Sequence, residues 1–129
     1  MTDETTQEKL RTREDVKRLQ DFCHTASRNA GWWPKAPWED VNINPTKLCL
    51  IHSEISEAME GDRKDAMDDK LPHRKALEVE LADAMIRILD LAGANNLDLG
   101  AAMAEKMDFN SVRPDHTLKN RAKKGGKKY

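Results

Sequence analysis

The sequence contains little of what secreted, membrane-spanning or β-rich proteins require. No apolar run approaches the roughly 18 residues of a membrane-spanning helix, and the polar stretch MTDETTQEKLRTRED lacks the apolar core of a secretory signal. Cys23 and Cys49 form no CxxC motif, so we expect two buried, reduced thiols. Strand-like alternation and internal repeats are also missing. These absences predict a cytoplasmic, all-α protein.

The chain is short and highly charged. Charged residues make up 35% of the 129 residues and hydrophobic residues only 38%, so the core of this single domain must be modest. Small domains with modest cores are often completed by association. We therefore expect an oligomer.

Apolar periodicity predicts four helices, over residues 13–30, 45–61, 72–95 and 99–112. Asn44 and Asp98 stand where N-caps of the second and fourth helices are expected, and Pro114 follows the last. The pattern is typical of a four-helix bundle or part of one.

The third helix contains the segment EVELADAMIRILDLA, which is apolar around most of its circumference. Glu80, Asp83, Arg87 and Asp90 share one face of it, because successive helical residues turn by about 100°. A helix that is apolar on its other sides is expected to be surrounded by protein. Its charged face must then meet a polar cavity or a partner, since an unpaired buried charge is very costly.

The second helix carries a matching acidic pair, Glu54 and Glu57, three residues apart. Both lie at the edge of the apolar face formed by Ile51, Ile55 and Ala58. If that face packs inward, the two glutamates approach the interior as well. We therefore expect them to meet the acidic pair of the third helix across antiparallel helices.

Four converging carboxylates need neutralisation. Full ionisation would cost on the order of 10–15 kcal/mol at an effective dielectric near 20, which rivals the stability of a small domain. Protonation, a Lys/Arg network or divalent cations could each balance the cluster. Oxygen ligands without His or Cys favour Mg²⁺ or Mn²⁺. The alternative is a solvated helix face or a salt-bridge network at an interface.

The fourth helix carries Lys106, Asn110 and Arg113 on one face. They form either an ordinary surface stripe or a set of cationic and amide donors for phosphates. Beside a metal-binding acidic cluster, such donors would hold a polyphosphate.

Taken together, EISE at 54–57, ELAD at 80–83 and KMDFNSVR at 106–113 resemble the MazG-like all-α nucleotide pyrophosphatases, and phage-encoded single-domain members most. The resemblance runs from about Leu10 to Arg113. It implies a bundle-like MazG-type domain over residues 1–113, completed as a homodimer or homotetramer. A basic, flexible tail over residues 114–129 follows.

The resemblance also implies an activity: Mg²⁺-dependent hydrolysis of a (d)NTP to a (d)NMP and pyrophosphate, with Mn²⁺ as a possible substitute. The implied metal ligands, also catalytic, are Glu54, Glu57, Glu80 and Asp83. Lys106 would act in catalysis and, with Asn110 and Arg113, bind the phosphates. Many members have a further glutamate where this chain has Ser53. Deoxynucleotides such as dGTP or dCTP are the expected substrates, and the host cytoplasm is the expected location of a phage-encoded protein.

The loop GWWPKAPWEDVNIN contains all three tryptophans of the chain. Trp32 and Trp33 are candidates for stacking on a nucleobase, with His24 lining the same pocket and His73 contacting phosphate or base. The alternative is that the tryptophans anchor the loop by packing.

Charge is distributed unevenly along the chain. Residues 113–129 contain seven Lys or Arg and one Asp, whereas the preceding 112 residues are net acidic. Basic segments attract phosphate backbones non-specifically. The alternative function is therefore a non-enzymatic oligomeric helical module with a nucleic-acid-binding tail, although we expect no nucleic-acid partner and no membrane partner.

Overall fold

The predicted helical character is confirmed by the computed structural model, which describes residues 2–129. It contains five α-helices: α1 (Asp3–Asn29), α2 (Ile43–Arg63), α3 (Ala76–Ala94), α4 (Leu99–Val112) and α5 (Leu118–Arg121). Short 3-10 turns occupy Pro37–Glu39 and Pro114–His116. Within residues 2–129 there is no β-strand, only an isolated bridge between Met67 and Lys75. The protein has an all-α fold.

The helix ends follow local capping chemistry. The predicted bounds of α4 are confirmed, and the Asp98 side chain accepts a hydrogen bond from the Ala101 amide at 3.1 Å. The N-cap of α2 is Asn42 and not Asn44. Helix α1 begins earlier than predicted, at Asp3, where acidic residues in the first turn favour the helix dipole. Helix α3 begins later, at Ala76, because the chain after Pro72 is tied into a connector.

The chain divides into two compact units, described separately below. One unit comprises Arg18–Leu97, and the other comprises Met1–Lys17 with Asp98–Tyr129. No helix among residues 2–129 is both long and apolar enough to cross a membrane.

In the unit Arg18–Leu97, helices α2 and α3 pack against each other through small side chains. The buried apolar residues of this unit are Cys23, Ala58, Ala84, Leu89, Ala92 and Ala94. Alanine lets helix backbones approach closely, so the pair is tight but buries little apolar area.

The second half of α1 reaches α3 at Gly93. A Cβ at this position would lie 2.6 Å from the Cβ of His24, so only glycine fits without displacing α1. Nearby, the fully buried Gln20 donates to the Leu97 carbonyl at 2.7 Å. These contacts fix the position of the second half of α1 against the C-terminal end of α3.

The predicted inward face of α2 is wrong in part. Ala58 and Glu54 are buried, whereas Leu48, Ile55 and Met59 are exposed. The physical reason is that α2 contacts α3 through the small Ala58, which allows the helices to approach closely. With Ala58 at the contact, the larger apolar side chains of α2 point away from α3.

Exposed apolar residues also occur on α1 and α3. Leu81, Met85 and Ile88 are exposed, so within this chain α3 is not surrounded by protein as predicted. We call these three, with Leu48, Ile55 and Met59, the apolar stripes of α3 and α2. Phe22 is 72% exposed, and Cys49 is exposed, contrary to expectation, while Cys23 is buried.

The other unit is held largely by polar contacts. Arg13 donates to the Asp98 carboxylate at 2.8 and 3.1 Å, and Gly100 packs against the Arg13 backbone. The segment 114–129 forms two short helical turns, and Asp115 accepts hydrogen bonds from Arg113 at 2.8 and 3.0 Å. The expected flexibility of this segment stays a prediction.

Candidate metal centre

A cavity of about 960 Å³ lies in the unit Arg18–Leu97, bounded by α1, the tryptophan loop, α2, the α2–α3 connector and α3. Carboxylates outnumber cations in its wall. The carboxylates are Glu54, Glu57, Asp68, Asp69, Glu80, Asp83 and Asp90, and the cations are Lys47, Lys70 and Arg87. A cavity wall with this excess of carboxylates favours the binding of a cation or of protons.

Three of the predicted metal ligands converge. Each of Glu54, Glu57 and Glu80 offers a carboxylate oxygen, and these three atoms lie within 4.8 Å of one another. Glu54 is buried, Glu80 is half-buried and Glu57 is exposed. Asp83 lines the same cavity without belonging to this group of three. The convergence predicted across α2 and α3 is therefore present for three carboxylates.

Arg87 fixes the carboxylate of Glu54. Its Nε donates to Glu54 Oε1 at 2.8 Å. Burial opposes ionisation of Glu54, but the Arg87 guanidinium outweighs it and lowers the pKa of this carboxyl. Glu54 therefore carries a negative charge at neutral pH.

The pKa of Glu80 is shifted in the opposite direction from that of Glu54. Burial, together with the neighbouring Glu54 and Glu57 carboxylates, raises the pKa of Glu80 to about 8. Its Oε2 atom is buried and has no hydrogen-bond partner in the described structure. A buried oxygen without a hydrogen-bond partner lowers the stability of the fold. A bound cation or a shared proton would remove that cost.

Asp83 is also perturbed. Burial is the main cause that raises its pKa, and the Glu54 charge adds to the effect. Arg87 and Lys70 act in the opposite direction, which brings Lys70 of the connector within electrostatic reach of the cluster. The donor set contains only oxygen atoms, which suits Mg²⁺ or Mn²⁺.

Asp90 organises the aromatic side of the cavity. Its carboxylate accepts hydrogen bonds from Trp33 Nε1 at 2.9 and 3.1 Å and from His24 Nδ1 at 2.8 Å. The Lys47 amine lies 4.4 Å from the centre of the Trp33 ring and donates to the Trp32 carbonyl at 3.2 Å. Trp33 is thereby held by three neighbours.

The predicted base contacts differ in their access to the cavity. Trp32 and Trp33 line it, and both also line a second cavity of about 270 Å³. Trp32 is 68% exposed, whereas one face of Trp33 is taken by Lys47. His24 lines neither cavity and supports Trp33 through Asp90. His73 is exposed and lies outside both linings.

The predicted phosphate-binding residues Lys106, Asn110 and Arg113 belong to the other unit. Lys106 lies 4.6 Å and Arg113 5.7 Å from the centre of the Phe109 ring. Asn110 Oδ1 is buried and has no hydrogen-bond partner in the described structure. The three residues are close together on α4, and their contact with a substrate stays a prediction.

Sequence reasoning missed the connector residues Asp68, Asp69 and Lys70. Asp68 is buried, and its Oδ2 accepts from the amides of Lys70 at 3.0 Å and Leu71 at 2.7 Å. The signal was the segment DDKLP, since aspartate commonly caps the amides two and three residues ahead in a turn. Phe22 of α1 also lines the cavity.

Comparisons of the chain with protein-family models, curated proteins and solved structures find no match. The similarity to MazG-like proteins therefore stays a prediction that depends on three short motifs.

Proposed function

We propose that the chain is a Mg²⁺-dependent nucleoside triphosphate pyrophosphohydrolase, which converts a (d)NTP and water to a (d)NMP and pyrophosphate. The observation that carries the proposal is the group of three glutamates, whose oxygens lie within 4.8 Å of one another. One of them, Glu80, has a buried oxygen with no partner. This is the arrangement that a hard divalent cation would complete.

Glu54, Glu57 and Glu80 would hold the ion, with Asp83 as a further ligand from the same wall. A bound Mg²⁺ supplies a more acidic water and neutralises charge on phosphoryl oxygens. Arg87 keeps Glu54 ionised and fixes its orientation through their 2.8 Å hydrogen bond. Glu80, whose pKa is about 8, can bind or release a proton near neutral pH.

The aromatic wall supports a nucleoside as the non-phosphate part of the substrate. Trp32 presents an exposed indole to the cavity, and aromatic faces stack on any base. Trp33 and His24 contribute by fixing the loop through Asp90. The proposed substrates are deoxynucleotides such as dGTP or dCTP.

Lys106, Asn110 and Arg113 are proposed to bind phosphate oxygens. Lys106 is exposed, while Arg113 is engaged with Asp115 at 2.8 Å and would have to share or exchange that partner. The unsatisfied Asn110 Oδ1 supports a ligand or partner at this face. A Lys106→Gln variant that retains full activity would remove this part of the proposal.

The apolar stripes of α2 and α3 support self-association as a homodimer or homotetramer. Met85 is 58% exposed and Met59 is 60% exposed, and large side chains left exposed at regular helical spacing are typical of interfaces. Sedimentation of a Met85→Glu variant tests this: we expect a lower mass than for the unchanged chain. Equal masses would contradict it.

The activity is tested by incubating the full chain with each nucleoside triphosphate and Mg²⁺ and identifying the products. We expect pyrophosphate and a monophosphate, lost at least 100-fold in Glu80→Gln and Asp83→Asn variants. Asp65→Asn serves as the matched carboxylate control, because Asp65 is exposed and lies outside the cavity lining. Orthophosphate release, or pyrophosphate release that is unaffected in both cavity variants, would contradict the proposal.

A further inference from the structure

Among the cations of the cavity wall in residues 2–129, Lys70 is the one whose amine makes no hydrogen bond or ion pair. Arg87 is bound to Glu54 at 2.8 Å, and Lys47 is bound to the Trp32 carbonyl and covers the Trp33 ring. For the Lys70 amine, the described residues 2–129 provide no hydrogen bond and no ion pair within 4.0 Å. Its charge is therefore available to a ligand of the cavity.

The backbone that carries Lys70 is held rigidly. Buried Asp68 accepts hydrogen bonds from the Lys70 and Leu71 amides, and the Asp68 amide donates to the Arg74 carbonyl at 2.9 Å. The connector is closed by a further bond from the Ala76 amide to the Ala66 carbonyl at 2.9 Å. The backbone at Lys70 is thus held in a hydrogen-bonded turn. This lowers the backbone part of the conformational entropy cost when Lys70 binds a ligand.

The cavity has a direction along α2. Lys47, near the start of the helix, contacts the tryptophan loop, and Glu54 and Glu57 follow about 10–15 Å further along at 1.5 Å per residue. The connector begins beyond the end of α2, at Lys64, so along this helix the acidic pair lies between Lys47 and the connector. Lys70 of the connector lines the same cavity and lies within electrostatic reach of Asp83. A nucleotide whose base stacks at Trp32 would extend its phosphates along this line.

We propose that Lys70 binds the terminal phosphates of the nucleoside triphosphate, the β and γ groups that leave as pyrophosphate. This rests on the proposed function. The ammonium would donate charge-assisted hydrogen bonds to phosphate oxygens and offset the negative charge that the leaving group gains. It would not contact the base or the α-phosphate, so Lys70 would select for phosphate chain length.

A simpler role for Lys70 is to act as counterion for Asp83. That role predicts weaker or altered metal binding without any nucleotide, because Asp83 is a proposed ligand. The phosphate-binding role predicts a defect only when the β and γ phosphates are present. The two roles are therefore separable by measuring metal and nucleotide binding independently.

The test uses the full chain and three variants: Lys70→Gln, Lys70→Arg and Lys75→Gln. Lys75 lies in the same connector, 3.6 Å from Asp65 and outside the cavity lining, so it controls for loss of charge. Binding of Mn²⁺ alone, of dCMP and of dCTP with an imido group between the α and β phosphates is measured by calorimetry. Steady-state hydrolysis of dCTP gives KM and kcat.

We expect Lys70→Gln to weaken binding of the imido analogue about 10-fold or more, with dCMP and Mn²⁺ affinities within about twofold of the unchanged chain. The loss should appear in KM, with a smaller effect on kcat, and Lys70→Arg should restore part of it. Equal behaviour of the Gln variants at positions 70 and 75, or an equal loss of Mn²⁺ affinity, would overturn the proposal. If the unchanged chain neither binds the imido analogue nor hydrolyses any triphosphate, the proposed function itself fails.

Discussion

Two carboxyl groups of the chain, Glu80 in the acidic cavity and Asp115 in the C-terminal segment, are in opposite electrostatic situations. Asp115 is contacted by Arg113 and Lys127, and these cations hold the pKa of its carboxyl below the usual range. Glu80 has two carboxylate neighbours, which with burial raise its pKa to about 8, and one of its oxygens has no partner. Every charge that Asp115 needs is supplied by the chain, whereas Glu80 lacks its counter-charge.

This difference separates Asp115 from the acidic cluster. The Asp115 carboxyl has its counter-charges supplied by the chain, so its ionised form is favoured in the folded protein. A group of carboxylates that raise each other's pKa costs stability until a proton or a cation arrives. Such perturbed groups in a cavity are candidates for function.

Metal affinity should give the largest difference between the two regions. Replacing Glu80 by Gln should weaken Mn²⁺ binding about 100-fold, because losing a direct ligand costs at least as much as losing its supporting contacts. Asp115→Asn should leave Mn²⁺ affinity unchanged. Calorimetry on the nucleotide-free chain measures the Mn²⁺ affinity of each variant. Equal affinities would contradict the assignment of Glu80 as a metal ligand.

The ion pair between Arg87 and Glu54 should give the next largest effect, on stability. Arg87→Gln leaves a buried carboxylate without its partner, so we expect a loss of about 2 kcal/mol at pH 7. The pKa of Glu54 is lowered in the folded protein, so this contribution exists above the ordinary glutamate pKa and disappears as the pH falls. Urea unfolding at pH 7 and at pH 4 checks the sign, and an equal loss at both values would contradict it.

Glu80→Gln should stabilise the metal-free protein at pH 8, where the unchanged chain carries a charge that burial and two neighbouring carboxylates oppose. The folded-state pKa of Glu80 is about 8 against an ordinary value of 4.5. The unchanged chain therefore loses stability as the pH rises through this window, and the neutral amide does not. Thermal unfolding at pH 5 and pH 8 should show the difference growing with pH. Mg²⁺ should reverse it, since the unchanged chain binds the ion more tightly than the Gln variant and gains more stability from it.

Asp115→Asn should have the smallest effect. The carboxylate is solvent-exposed, and exposed ion pairs contribute little because water and salt screen them. We expect the melting temperature and the Mn²⁺ affinity to stay within experimental error of the unchanged chain. A large change in either would show that the C-terminal segment supports the site.

Features that follow from local chemistry were predictable from the sequence. The bounds of α4 and its cap follow from Asp98 and Pro114, because capping is decided by a few adjacent residues. The approach of Glu54, Glu57 and Glu80 was expected from helical spacing, which places Glu54 and Glu57 on one face of α2 and Glu80 on the charged face of α3.

Features that depend on tertiary context were not predictable. Helical spacing identifies the apolar face of α2 but not which edge of that face contacts α3. Ile55 was therefore predicted to point inward, whereas Ala58 is the residue buried there. The roles of Trp33 and His24 depend on Asp90, more than fifty residues away in the sequence. Lys70 was missed because its place in the cavity is set by the fold of the connector.

The hydrogen bonds of Asp90 have a consequence for the energetics of ligand binding. One carboxylate on α3 holds Trp33 of the loop and His24 of α1, so the loop is ordered before any ligand arrives. The conformational entropy of that loop is lost when the chain folds and does not have to be lost again on association. Asp90→Asn would transfer part of that loss to the binding step. Affinity for a nucleotide should then fall and its temperature dependence should steepen, although residue 90 needs no contact with the ligand.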